Sequence, residues 1–127
     1  MPQDPAISPV ISIVDDDAGV REATRSLVRS LGYAAATFAS GEEFLASGRL
    51  ADTSCLITDL QMPGMNGIEL QRRLVADGRH LPIIFVTASP ETPARTQALA
   101  AGAAAFLRKP LGDETLIACL DEALAAQ

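Results

Sequence analysis

The sequence predicts a single α/β domain, a parallel sheet with helices on both faces. Three observations predict it. Five short apolar runs recur at intervals of roughly twenty-five residues, each followed by a helical pattern. The runs lack apolar–polar alternation, as strands buried on both faces do. A length of 127 residues, 48% hydrophobic and 20% charged, suits one domain with one core.

The elements follow in order. VISIV (10–14) is the first strand. From Gly19 to Leu31, the residues Val20, Ala23, Leu27 and Leu31 form an apolar stripe, and Gly32 stops the helix. AAATF (34–38) is the second strand, and Ser40 with Glu43 has the capping-box spacing that opens a helix through Leu45. CLIT (55–58) is the third strand. The helix after it runs from Gly67 to Ala76 on Ile68, Leu70 and Leu74, and stops near Gly78. PIIFVT (82–87) is the fourth strand, and Thr92-Pro93 supplies an N-cap and a first-turn proline for a helix ending before Gly102. AAFL (104–107) is the fifth. Asp113 is expected to cap a last helix with Leu116, Ile117, Leu120 and Leu124 on one side. Residues 1–8 read as a disordered lead-in, and the domain itself as 9–127. Within the first nine residues, three prolines and no basic residue match neither a signal peptide nor an anchor.

Charge and composition exclude several function classes. The net charge of −6, with ten basic residues, offers no basic patch for nucleic acid. Aromatics are too few for a base-stacking platform. No apolar run approaches membrane-spanning length, so a cytoplasmic location is expected by default. Cys55 and Cys119 lie in apolar segments without metal-ligand spacing, far in sequence from the lone His80, and read as reduced core thiols.

In open α/β sheets, ligands bind beyond the carboxyl ends of the strands, where strand order reverses. Here those ends carry polar residues. The first strand ends in Asp15, Asp16 and Asp17, the third in Thr58-Asp59, the fourth in Thr87-Ala88-Ser89, and the fifth in Arg108-Lys109-Pro110. Carboxylates without nearby His or Cys form a hard-oxygen site, suited to Mg²⁺ rather than zinc. A hydroxyl and an ammonium opposite a metal suit phosphate oxygens, and one carboxylate is then free to attack phosphorus. Lys109 is the only lysine; the other nine basic residues are arginines. Arg21, Arg25 and Arg29, at four-residue spacing, read as a solvated face of the first helix that borders this edge, where an acidic partner surface could dock.

VDDD (14–17), TDLQMPGMNGIEL (58–70), VTAS (86–89) and AGAAAFLRKP (101–110) occur in order and at spacings that resemble the receiver domain of two-component response regulators, most closely the FixJ-like group. The resemblance runs from about residue 9 to the end. It implies a flavodoxin-like (βα)5 doubly wound parallel sheet with strand order 2-1-3-4-5. It implies that Asp59 accepts a phosphoryl group from the phosphohistidine of a sensor histidine kinase or phosphotransfer protein. Asp15, Asp16, Asp59 and the backbone carbonyl of Gln61 would hold Mg²⁺. Thr87 would bond a phosphoryl oxygen, Lys109 would pair with Asp59 and then with the phosphate, Phe106 would be the switch aromatic, and Lys109-Pro110 a cis peptide. The chain departs from the group at Leu111, where Phe is usual. Gln61 and Ser89 occupy positions that tune dephosphorylation.

Plainer readings stand beside these. Three aspartates could serve to cap the first helix, but one suffices for that, and Asp17 is assigned to solvent or a cap rather than to metal. Phe106 is as well explained by a core position as by a switch. A haloacid-dehalogenase-like phosphatase would use the Asp15-x-Asp17 spacing but would leave Asp59 unexplained. A phosphorylation-independent binding module conflicts with the intact set of pocket residues. The expected output is homodimerisation through the fourth helix, fifth strand and fifth helix, with Arg95 facing Asp121 and Glu122, or a helix-turn-helix domain outside this chain. The domain itself is a switch rather than a turnover enzyme.

Overall fold

The computed structural model of the chain describes residues 9–125, so the lead-in assigned to 1–8 lies outside the described residues. Strand and helix alternate five times: β1 (Val10–Val14), α1 (Ala18–Ser30), β2 (Ala34–Phe38), α2 (Gly41–Ala46), β3 (Cys55–Asp59), α3 (Gly67–Ala76), β4 (Ile83–Thr87), α4 (Pro93–Ala100), β5 (Ala105–Arg108) and α5 (Asp113–Ala125). All neighbouring strands are parallel, in the order β2-β1-β3-β4-β5. This is the doubly wound arrangement the sequence predicts.

The core lies in two layers. Successive residues of a strand point to opposite faces, so each central strand feeds both. Val14, Leu56 and Phe85 pack with Phe44, Leu70 and Leu74 on one face. Ile13, Ile57 and Ile84 pack with Val28, Leu116 and Leu120 on the other. β3 and β4 are buried at every position. Full burial of a side chain such as Phe85 stabilises the fold by about 2–3 kcal/mol. The edge strands differ from expectation: most of β2 and β5 is half-exposed, because each is flanked by a single strand.

Three helices differ from the sequence reading. In α1 the buried residues are Thr24 and Val28, while Ala23 is exposed. Thr24 tolerates burial because its hydroxyl donates to the Val20 carbonyl at 2.9 Å. In α5, Asp113 is the first helical residue rather than the cap, since the Leu116 N–H donates to the Gly112 carbonyl at 3.0 Å. Ile117 faces solvent, and Ala123 is buried with Leu116 and Leu120. Ser40 accepts from the Glu43 N–H as expected, but the Glu43 carboxylate takes the N–H of Ala39, so the reciprocal box does not close there. It closes instead at α3, between Asn66 and Glu69.

Candidate functional site

Register delivers the site. Val14 pairs with Thr58, Asp59 with Val86, and Thr87 with Arg108. The next residue along each ladder therefore brings Asp15, Asp59, Thr87 and Lys109 to one sheet edge, at the switch point between β1 and β3.

Lys109 joins them. Its ammonium lies 3.0 Å from Asp15 Oδ2 and 3.3 Å from Asp59 Oδ2. The Lys109–Pro110 bond is cis, and the Lys109 N–H donates to the Thr87 carbonyl at 2.8 Å. Carboxylate oxygens of Asp15, Asp16 and Asp59 lie within 4.8 Å of one another. Asp15 and Asp59 are buried and Asp16 is exposed. Both Asp15 oxygens are engaged, since Oδ1 accepts the Asp17 N–H at 2.9 Å and Oδ2 meets Lys109. Asp16 is the member of the trio that opens to solvent.

The electrostatics are lopsided. Burial holds the Asp59 carboxyl above its ordinary value; the Lys109 charge opposes this, the Asp15 charge adds to it, and hydrogen bonds from Lys109 and the Gln61 backbone N–H oppose it. Burial alone lowers the Lys109 ammonium, but the Asp15 hydrogen bond and the charges of Asp59 and Asp15 outweigh it and hold it above the usual lysine value. The two directions disagree for a simple ion pair. One ammonium shared by two carboxylates, and nearer to Asp15, explains both: Lys109 is doubly served, and Asp59 keeps unmet negative charge. An all-oxygen acidic trio carrying such excess charge fits a small hard dication.

Asp17 stands apart. Its carboxylate accepts the Val20 N–H at 3.1 Å and caps α1, so the Asp15-x-Asp17 pair is not the acidic cluster. Thr87 is buried, with its hydroxyl accepting the Ser89 N–H at 3.2 Å. Phe106 is half-buried and stacks at 5.7 Å, tilted 34°, on Phe85, its register partner. Leu111 lines an apolar cleft of about 410 Å³ beside Asp59, with Val20, Leu27 and Val86. The larger cleft of about 830 Å³ involves Leu50, Arg79, His80 and Ala104 and includes none of the site residues. Cys55 is buried and its thiol is pushed up to about 12, first by burial and then by nearby Cys119, which leaves it unreactive.

Two contributions escaped the sequence. The Gln61 N–H reaches the Asp59 carboxylate. Arg21, read as solvated, is half-buried and its guanidinium donates to the Asp15 carbonyl at 2.7 Å. Arg25, half-buried as well, pairs with the exposed Glu22, and Arg29 is exposed, so the bond to the Asp15 carbonyl rather than burial sets Arg21 apart. An arginine one turn inside a helix that opens on carboxylates was the available signal.

The sheet order and the acidic pocket at its switch point define a doubly wound α/β domain with an acidic site beyond its strand ends. A family model of the response regulator receiver domain matches residues 11–121, and the chain belongs to that family. The response regulator protein TmoT of Ectopseudomonas mendocina is 44% identical over 116 residues, covering 91% of this chain and 52% of that protein. The transcriptional regulatory protein FixJ of Azorhizobium caulinodans is 38% identical over 114 residues, covering 90% of this chain and 54% of that protein. Among solved structures, FixJ-N is similar with a TM-score of 0.85 at 33% identity, over 98% of this chain and 97% of that one. The chain spans about half the length of these full-length relatives. Among the described residues, no helix is long and apolar enough to cross a membrane.

Proposed function

We propose that residues 9–127 are a phosphoacceptor switch in which Asp59 takes a phosphoryl group from the phosphohistidine of a sensor histidine kinase or phosphotransfer protein. The observation that carries this reading is the buried Asp59 carboxylate, 3.3 Å from the Lys109 ammonium and within reach of Asp15 and Asp16. An Asp59 oxygen attacks phosphorus, the phosphorus–nitrogen bond breaks, and the imidazole leaves with the electron pair. Asp15, Asp16, Asp59 and the Gln61 carbonyl would hold Mg²⁺, which supplies positive charge against the phosphoryl oxygens. Lys109 then meets one phosphoryl oxygen and the Thr87 hydroxyl another. Movement of Thr87 makes room on the β4 side for Phe106, and α4, β5 and α5 present an altered face. The output is homodimerisation through that face or control of a helix-turn-helix domain in the rest of a longer cytoplasmic protein. The domain assists its own phosphotransfer and dephosphorylation without turning over a free substrate.

The direct test is incubation with acetyl phosphate and Mg²⁺. One phosphoryl group per chain is expected, mapped by peptide mass spectrometry to the segment containing Asp59. Labelling on any other residue, or none, would sink the reading.

A companion pair separates ligand from cap. Asp16→Ala is expected to lose Mg²⁺ binding and phosphoryl uptake. Asp17→Ala is expected to keep both while losing about 1 kcal/mol of stability with its helix cap. Isothermal titration and thermal melts distinguish the two, and equal loss of Mg²⁺ in both variants would show the assignment to be wrong.

A further inference from the structure

Asp16 occupies a three-residue connection, Asp15 to Asp17, between β1 and α1. The ladder pairs of β1 end at Val14, so beyond the Asp15 N–H, which donates to the Phe38 carbonyl, the sheet does not hold this segment. Asp16 is also exposed, so packing does not hold it. Its neighbours do, and Arg21 reaches both of them. The Arg21 backbone N–H donates to the Asp17 carbonyl at 2.9 Å. The Arg21 guanidinium donates to the Asp15 carbonyl at 2.7 Å. The carbonyls on either side of Asp16 are thus both fixed by Arg21, one through its main chain and one through its side chain.

The side-chain bond is the informative one. Any residue at position 21 supplies the helical N–H, but the Asp15 carbonyl lies outside the helix and needs a long donor. A charged donor makes a shorter and stronger bond than a neutral one. The same connection is tied a second time where the Asp17 N–H meets Asp15 Oδ1, so the orientation of the Asp15 carbonyl and that of its carboxylate are linked. Arg25, one turn further on, meets only the exposed Glu22 and has no such reach.

We infer that Arg21 is a positioning residue for Asp16. It clamps the Asp15–Asp17 connection so that the Asp16 carboxylate stays within reach of those of Asp15 and Asp59, and it thereby sets the affinity of the acidic trio for a divalent cation without touching the cation. The inference rests on the reading that this trio takes Mg²⁺. It replaces the view of Arg21 as a solvated docking charge. Groups that orient metal ligands typically change metal affinity by about 10–100-fold when removed.

The test uses the full chain with three substitutions. Arg21→Met keeps the long stem and removes the donors, Arg21→Lys restores one charged N–H, and Arg25→Gln is the surface control. Mg²⁺ titrations followed by backbone amide chemical shifts are expected to show affinity about tenfold weaker in Arg21→Met. Arg21→Lys should recover most of that loss, because the carbonyl takes a single N–H. Arg25→Gln should match the unaltered protein. In the metal-free protein, amide hydrogen exchange at Asp16 and Asp17 is expected to quicken in Arg21→Met at unchanged melting temperature. Unchanged Mg²⁺ affinity in Arg21→Met, or an equal loss in Arg25→Gln, would overturn the inference. Failure of the unaltered protein to bind Mg²⁺ would overturn the metal reading as well. Unchanged exchange in the metal-free variant would overturn the clamp alone.

Discussion

Asp59→Asn is expected to reduce phosphoryl uptake from acetyl phosphate to background and, at the same time, to stabilise the metal-free domain at neutral pH. The two effects share one cause. The amide has no anionic oxygen to attack phosphorus, and it removes a buried charge that Lys109 serves incompletely. The sign follows from linkage. A carboxyl whose folded value is raised binds its proton more tightly in the folded chain, so ionising it as pH rises through the unfolded and then the folded value costs stability. The gain from asparagine is therefore present at about pH 7 and disappears at about pH 3, below the ordinary carboxylate value of about 4, where Asp59 is protonated in both states. Lys109 works in the other direction, since its raised value contributes stability that is lost only as pH climbs through the lysine range. Intact-mass labelling and thermal melts in chelator at the two pH values check the pair. A destabilised asparagine variant at neutral pH would mean that the Lys109–Asp59 attraction outweighs the burial of the charge.

Gly67→Ala is expected to be the most damaging single methyl in the domain. A Cβ at Gly67 would stand 2.6 Å from the Asp59 carbonyl oxygen, 3.0 Å from Phe85 Cε1 and 3.1 Å from Leu60 Cα. Two of the three are backbone atoms, and the Gly67 N–H already donates to the Leu60 carbonyl at 2.8 Å. Neither the start of α3 nor the end of β3 can retreat without breaking that bond. Overpacking typically costs about 1–3 kcal/mol, and a clash with backbone belongs at the upper end, a large part of the total stability of a small domain. Gly112→Ala is the control, because its Cβ would meet nothing nearer than Thr115 Oγ1 at 3.9 Å. Urea denaturation is expected to shift strongly for Gly67→Ala and by less than about 1 kcal/mol for Gly112→Ala. Equal shifts would refute the steric account. In the surviving folded fraction, a displaced Asp59 carbonyl should also slow phosphoryl uptake.

Much of this was legible in one dimension because it depends on local period and on strand ends. Unalternating runs at Cys55–Asp59 and Ile83–Thr87 mean burial on both faces, and both strands are buried throughout. Parallel connections bring carboxyl ends to one edge, so Asp15, Asp59, Thr87 and Lys109 were placed together before any distance was known. The caps at Asp17, Ser40 and Thr92 were likewise readable, since each is a contact within three residues.

What the sequence by itself determined was therefore the alternation of elements, the polar ends of the strands and the motifs that place the chain in its family. Tertiary structure alone decided the rest, wherever a polar group or a glycine answers to something that the apolar period does not record. Hydrophobicity assigned Ala23 to the core of α1, but the helix is rotated to bury Thr24 and Val28, because a hydroxyl that returns to its own helix can be buried at little cost. The Gln71 side chain looks like surface in sequence, yet it is buried and donates across 27 residues to the Ala98 carbonyl at 3.0 Å. Gly67 reads in sequence only as the start of a helix until the Asp59 carbonyl is found against it. Arg21 belongs to a charged stripe by spacing and to the Asp15 connection by reach. The physical reason is common to all four. Apolar burial follows a local period, whereas the direction of a hydrogen-bond donor, or the room beside a Cα, is set by whichever backbone the fold brings next to it.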